Sequence, residues 1–144
     1  MLPLDGGTRI LTGPGSRVKM LLPDETIFTI GPNSDMVVDN FVYDAATFTT
    51  KAVAEFAKGS FRWVTGKISK AKDIKIKIGI IAIGIRGTDF EAMLGPGGAG
   101  HIELYEGQLE ITPKATGKTF MLKAGKMISF TADGVFSKPA PLKP

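Results

Sequence analysis

The feature that most constrains the fold of this chain is an alternation of apolar and polar residues that recurs in short stretches. Isoleucine alternates with lysine over residues 74–78, and the same period of two occurs at residues 17–22, 101–105 and 108–112. In a β-strand this period places the apolar side chains on one face and the polar side chains on the other. The pattern therefore predicts half-buried strands that cover a common core.

Turn-forming residues separate the alternating stretches. The 144 residues include 18 glycines and 9 prolines, and these are dispersed along the chain. Turn signals recur at roughly ten-residue spacing, which is typical of a β-sandwich, a barrel or a β-helix. The sequence thus predicts one all-β domain, because a chain of this length can bury a sufficient core without disulfides or metals.

Two stretches depart from simple alternation. Residues 79–85 are apolar at both odd-numbered and even-numbered positions, which predicts a central strand that is covered on each face. Residues 45–58 are rich in alanine and lysine, which favours a helix, but they also contain β-branched residues, which favour a strand. Local pattern leaves both readings of residues 45–58 open.

Composition narrows the function classes. The formal charge is +4 and the pI about 9.4, but the lysines are spread singly along strand-like stretches, so we expect solvated strand faces and no nucleic-acid groove. Cysteine is absent and His101 is the only histidine. These counts exclude disulfides, thiolate catalysis and zinc-thiolate sites, and His101 is expected on a hairpin strand in a structural or surface role.

No sequence motif assigns catalytic, metal-binding or cofactor-binding residues. Residues 95–100 formally fit the spacing of a dinucleotide-binding loop, but a strand follows them where that motif requires a helix, so they predict a hairpin tip. Two of the 14 acidic residues brought together by the fold would still permit glycoside chemistry. A β-helical carbohydrate-active enzyme is therefore a distant alternative.

The most specific stretch follows the apolar run. A charged residue at the end of a core strand requires a partner, so Arg86 is expected to be at least partly buried and bonded to a carboxylate or to carbonyl groups, with Asp89 the nearest candidate in sequence. A structural role and a recognition role for this pair both remain open. The residues of this candidate signature are Gly84, Arg86, Gly87, Thr88, Asp89 and Phe90.

These residues resemble the signature of the FecR domain family. Further similar motifs follow the family order over about residues 9–130, at positions 11–16 with 22–24, 30–34, 58–66, 106–110 and 122–126. The resemblance implies a twisted, β-helix-like roll of short strands, with a β-sandwich or jelly roll as the alternative, and it favours a strand for residues 45–58. It also implies a periplasmic or other extracytoplasmic location and a protein partner such as the signalling domain of a TonB-dependent receptor.

The chain departs from the family pattern at several places. Ile78 and Gly79 replace the usual Thr-Pro, Ala82 replaces a threonine, and Glu25 replaces a turn glycine. The family's first strands, its cytoplasmic sigma-binding region and its membrane helix are not recognised in this sequence, so anti-sigma activity is not inferred. Exposed strand edges near the start of the chain predict a homo-oligomer formed by strand addition.

The leading hypothesis is a non-enzymatic, extracytoplasmic FecR-like domain that relays or scaffolds protein contacts in envelope signalling. It requires no cofactor. The alternative is a structural β-scaffold that assembles through its strand edges. We expect a lead at residues 1–8, the FecR-like domain at 9–133 and an extended, proline-rich tail at 134–144.

Overall fold

The structure is a computed structural model that describes residues 8–22, 25–66, 71–95 and 97–142, without the side chains of residues 71–73 and 86. This part of the chain contains strands and turns and no helix, so the all-β prediction is confirmed. The strands are β1 (Thr8–Leu11), β2 (Val18–Leu21), β3 (Ile27–Ile30), β4 (Asp35–Asp44), β5 (Thr49–Val64), β6 (Ala71–Ile78), β7 (Ile81–Leu94), β8 (Gly100–Pro113), β9 (Phe120–Lys123), β10 (Lys126–Phe130) and β11 (Ala140–Pro141).

The long strands β5 and β7 organise the sheet. The first half of β5 lies between β4 and β6, and its second half pairs with β3 and β7. The first half of β7 pairs with β6, and β8 runs along the other edge of β7. β5 reaches its direct pairing with β7 past the C-terminal end of β6, whereas β7 reaches it past the N-terminal end of β6, so the sheet curls into a small barrel. The more specific β-helix-like roll is not confirmed.

Alternation places the core where the sequence predicts it. Ile74, Ile76 and Ile78 are at most 2% exposed, whereas Lys75 and Lys77 between them are exposed. Each fully buried isoleucine contributes roughly 1.5–3 kcal/mol of apolar burial. The core continues into an aromatic cluster that comprises Phe28, Phe56, Phe61, Trp63 and Phe90.

The apolar run at residues 79–85 is not one strand, so that prediction is wrong. Gly79 and Ile80 form the turn between β6 and β7, and Gly79 has a φ of 55°. A positive φ suits the tight loop of a hairpin and is adopted most easily by glycine. Within β7, isoleucines fill the buried positions, while the small residues Ala82 and Gly84 occupy the half-exposed positions. The run is therefore continuously apolar because small residues occupy its outer positions. It is not covered by a second layer.

The helix reading of residues 45–58 is also wrong. Residues 45–48 form a turn, and β5 includes residues 49–58, so the strand implied by the family resemblance is confirmed for residues 49–58. The side chain of Asp44 accepts a hydrogen bond from the backbone N–H of Ala46 at 2.9 Å. This local bond favours a turn over the helical backbone.

The last described segment returns to the sheet. Phe136 pairs with Phe130, its ring centroid lies 5.9 Å from that of Phe120, and β11 pairs with β10. Residues 134–142, which the sequence predicts to be a tail, thus contact the preceding domain. The domain boundary at residue 133 stays a prediction. No helix in the described residues has the length and apolar character needed to cross a membrane.

Candidate functional site

The signature stretch forms a β-bulge in β7. Arg86 pairs with Gln108 and Asp89 pairs with Glu106, so Gly87 and Thr88 together oppose one residue of β8, Gly107. Gly87 has a φ of 61° and Gly107 a φ of 82°. A β-carbon on Gly107 would collide with the backbone carbonyl oxygen of Gly87. Gly107 is therefore required by the close approach of two backbones, whereas Gly87, with open space at its β-carbon position, is favoured by its positive φ.

This bulge determines which way Asp89 faces. Before it, Ile81, Ile83 and Ile85 point into the core; after it, Phe90 does so with 0% exposure. A shift of one residue moves every following side chain to the opposite face of a strand. If the alternation before the bulge continued unbroken from Ile85, Asp89 would point into the core, so the bulge brings its carboxylate to the outer surface.

On that surface Asp89 forms a forked ion pair with Arg62 of β5. Nε of Arg62 lies 3.2 Å from Oδ1 of Asp89, and Nη2 lies 3.1 Å from Oδ2. The hydrogen bond with Asp89 is the main cause that raises the pKa of Arg62 above its ordinary value. The guanidinium also lies 5.2 Å from the ring centroid of Tyr105, a cation–π distance.

Tyr105 connects this ion pair to two carboxylates. A register irregularity leaves it between Glu106, which pairs with Asp89, and Leu104, which pairs with Phe90. Its hydroxyl donates to Oε2 of Glu103 at 2.9 Å and lies 3.3 Å from Oε2 of Glu91. Burial, followed by the bond to Glu103, raises its pKa well above the ordinary range. The phenol thereby joins Arg62 to the carboxylates of Glu91 and Glu103.

Arg62, Glu91 and Glu103 belong to a polar row that crosses the sheet, which we call the outer ladder. Cross-strand register aligns its members from β2 through β3, β5 and β7 to β8; they are Lys19, Thr29, Arg62, Glu91 and Glu103. The row is basic at its β2 and β5 positions and acidic at its β7 and β8 positions. Opposite charges separated along one surface can orient a charged partner.

An open groove of about 340 Å³ lies beside the ladder. Thr29, Arg62 and Glu91 line it together with Arg17, which precedes β2. Its remaining lining residues are Gly31, Ser60 and Phe61. The groove is open and polar, with two arginines and one carboxylate along its walls, and this composition suits the side chains of another protein.

Hydrogen bonds fix the backbone beneath the ladder. The N–H of Thr88 donates to Oγ1 of Thr65 at 3.0 Å, and the N–H of Thr65 donates to the carbonyl of Thr88 at 2.9 Å. Trp63 Nε1 also donates to Oγ1 of Thr65, at 3.1 Å. The motif at residues 58–66 and the signature, distant in sequence, thus meet at one rigid junction.

The described residues hold no cluster of three or more histidine, cysteine, aspartate or glutamate side chains suited to a metal ion. His101 lies on β8 with about one third of its side chain exposed, and its Nε2 is 3.8 Å from Oε1 of Glu103. Among the described residues that line the groove, Glu91 is the one carboxylate. Residues 95–100 connect β7 to β8 as the predicted hairpin, closed by a bond from Gly95 N–H to the Ala99 carbonyl; Pro96 lies outside the described part.

The signature residues have different environments. Thr88 and Phe90 are buried, Gly84 and Asp89 are half-exposed, and the side chain of Arg86 lies outside the described part of the structure. The prediction for Arg86 therefore stays untested, and the carboxylate expected to bind it is occupied by Arg62. Sequence reasoning did not select Arg62, Glu91 or Tyr105. The available signal was that Arg62 lies within another family-like motif.

Two crystal structures of a candidate anti-sigma factor from Parabacteroides distasonis ATCC 8503, at 1.65 and 2.50 Å resolution, have TM-scores of 0.72 and 0.73 with this chain. They align over 93% and 94% of it at 14% identity. The chain spans 59% and 60% of their length, and the likeness concerns the fold alone.

A search of curated proteins finds no match. The family model described as FecR protein matches residues 8–110, which include both motifs that meet at the Arg62–Asp89 pair. That match covers well over half of the chain, and the chain belongs to the FecR family.

Proposed function

We propose that this chain is a regulatory FecR domain that binds a protein partner outside the cytoplasm and relays or scaffolds contacts in envelope signalling. The observation that carries the proposal is the outer ladder, a surface of ordered charges held by the family signature itself. Asp89 reaches this surface because of the signature bulge, and Arg62 reaches it from the second matched motif.

Family membership supports a regulatory role over an enzymatic one. Two charged members of the ladder are held by neighbouring side chains, Arg62 by Asp89 and Glu103 by the hydroxyl of Tyr105. Charged groups held in fixed positions in this way are suited to recognise a complementary protein surface.

The expected partner is a folded protein domain. The ladder extends from β2 to β8 and the groove beside it is open, so the recognising surface is broad and shallow. Small-molecule sites are by contrast enclosed and mostly apolar. The signalling domain of a TonB-dependent receptor is the partner class that the family resemblance implies, and the candidate anti-sigma factor with a similar fold is compatible with that setting.

Site-specific photo-crosslinking in the native cells tests this proposal. A photoreactive phenylalanine analogue at Thr29 lies within the ladder, next to Arg62 across β3 and β5. The same analogue at Lys118, which is exposed in the turn between β8 and β9, is the matched control. We expect an adduct with an envelope signalling protein from position 29 and none from position 118. Absence of an adduct at 29, or identical adducts at both positions, would contradict the proposal.

A second candidate function is self-assembly through strand edges. Among the described strands, β1 pairs only with β4, and Leu11 at its end is 61% exposed. Its charged residue Arg9 is neutralised by Asp35, with bonds of 3.0 and 2.8 Å. This edge therefore lacks the free charge that usually prevents strand addition. Light scattering across a dilution series tests it: a dimer that Leu11→Lys dissociates supports assembly, and a monomer at high concentration contradicts it.

A further inference from the structure

We propose that the open edge of β2 is a docking site for an extended, acidic strand of the partner protein. The inference rests on the proposed protein-binding function and specifies where and how the partner attaches. In the described residues β2 pairs with β3 alone. An unpaired edge of this kind accepts a further strand through main-chain hydrogen bonds.

The backbone register identifies the groups available for pairing. Leu22 N–H donates to the Thr26 carbonyl at 2.8 Å. Hydrogen-bonded residues alternate along an antiparallel pair, so Met20 and Val18 bond to β3, opposite Phe28 and Ile30. The N–H and C=O groups of the intervening residues Lys19 and Leu21 consequently face the open edge.

Charge selects the chemistry of the incoming strand. Lys19 points outward from β2, and Arg17 lines the groove that also contains Arg62. No carboxylate occurs on β2 itself. A strand added at this edge would place its outward side chains beside Lys19 and Arg17, where acidic residues are favoured as cross-strand neighbours.

The other face of the edge selects apolar residues. Val18 and Met20 point inward and pack, half-buried, against the core. Leu21 on the outer face is 64% exposed. The fitting strand therefore carries apolar side chains inward and acidic side chains outward, beside Lys19 and Arg17.

A second copy of this chain fits the β2 edge less well. Pairing β2 with its own copy brings Lys19 and Arg17 of both chains together, and like charges on neighbouring strands destabilise a sheet. The chain's net charge of +4 adds to this repulsion. Charge complementarity thus favours an acidic partner strand over self-pairing.

Nuclear magnetic resonance on the full chain tests the inference. The probe is an end-capped peptide that alternates glutamate with valine, compared with one that alternates lysine with valine. We expect the acidic peptide to shift the amide resonances of Lys19 and Leu21 and to slow their hydrogen exchange, because those N–H groups acquire acceptors. Its affinity should exceed that of the basic peptide by about tenfold and fall as salt is added. Equal binding of both peptides, or shifts confined to other strands, overturns the inference.

Two variants separate backbone from charge. Leu21→Pro removes an edge N–H without removing a bond to β3 or a charge, and it should abolish binding of the acidic peptide. The double change of Arg17→Glu and Lys19→Glu should reverse the preference in favour of the basic peptide. Lys123→Glu on β9, which is also an edge strand of four residues, is the matched control and should leave both affinities unchanged.

The remaining outcomes discriminate further. Acidic-peptide binding that appears only after residues 1–7 are removed would show that the edge is occupied within the chain, and it would overturn the inference. So would a β2-dependent dimer that excludes the peptide. If the peptide fails while the crosslink at position 29 forms, the docking inference fails and the proposed function survives. Loss of the crosslink as well refutes both.

Discussion

Asp89 of β7 binds Arg62 of β5 through both carboxylate oxygens, at 3.2 and 3.1 Å. The arginine side chain is 50% exposed and the aspartate side chain 16% exposed. The acid of the signature is thereby tied to a motif 27 positions earlier in the chain. The pair holds β5 and β7 together where the two strands pair directly.

A double-mutant cycle on Arg62→Ala and Asp89→Ala should give a coupling energy of about 0.5–1 kcal/mol. The value is modest because the arginine is half-exposed and solvent screens the pair. Denaturant unfolding of the four proteins measures it. A coupling near zero would mean that the fork does not stabilise the fold, and several kcal/mol would mean that the pair behaves as buried.

Gly107→Ala should destabilise the protein by about 2–3 kcal/mol, since it adds a β-carbon at a positive φ and against the Gly87 carbonyl. Gly117→Ala is the control. Gly117 has a φ of 66° but open space around it, so that change should cost only about 1 kcal/mol. Thermal melting compares them, and equal losses would refute the close approach of the two backbones.

Glu25→Gly should stabilise the protein. Glu25 adopts a φ of 67°, which strains a residue with a side chain and suits glycine, the residue that the family resemblance places there. Relief of about 1–2 kcal/mol exceeds the entropy cost of about 0.5–1 kcal/mol, which leaves a net gain of several tenths of a kcal/mol or more. Unfolding in urea is the measurement. A loss of stability would show that the Glu25 side chain contributes contacts that outweigh the strain.

The hydroxyl of Tyr105 should make stability fall in alkaline solution. Its pKa is raised in the folded protein, so the folded state retains a proton that the unfolded state releases as pH rises through 10.0. The contribution is present below that pH and is lost progressively as the pH approaches the raised folded value. Tyr105→Phe should flatten this part of the pH profile, and Tyr43→Phe, the only other tyrosine, controls for loss of a phenol. Identical profiles for wild type and Tyr105→Phe would contradict the arrangement.

Alternation made the core predictable because it records burial residue by residue, as Ile74, Ile76 and Ile78 illustrate. It misled at Gly79 and Ile80, where a turn interrupts an apolar run without a polar residue to mark it. Local propensity could not resolve residues 45–58. The strand there is stabilised by pairing with β4 and β6, and local propensity does not record pairing with other strands.

The site was predictable only in part. The signature directed attention to Asp89, but Arg62, the cation that binds it, could not be deduced from proximity along the chain. Arg62 becomes a neighbour through the pairing of β5 with β7, and Tyr105 through a register irregularity in β8. Such non-local register depends on the closed sheet as a whole, and a single sequence does not specify it.

We propose that the outer ladder binds a signalling protein. The most direct measurement is an amide-resonance titration of this chain with the purified signalling domains of TonB-dependent receptors from the same cell. We predict saturable shifts at Lys19, Thr29, Arg62 and Glu91 with one of these domains. These shifts should be lost when Arg62→Glu reverses the charge at the β5 position of the ladder. Absence of saturable shifts with every domain, or shifts that cluster on β9 and survive Arg62→Glu, would contradict the account.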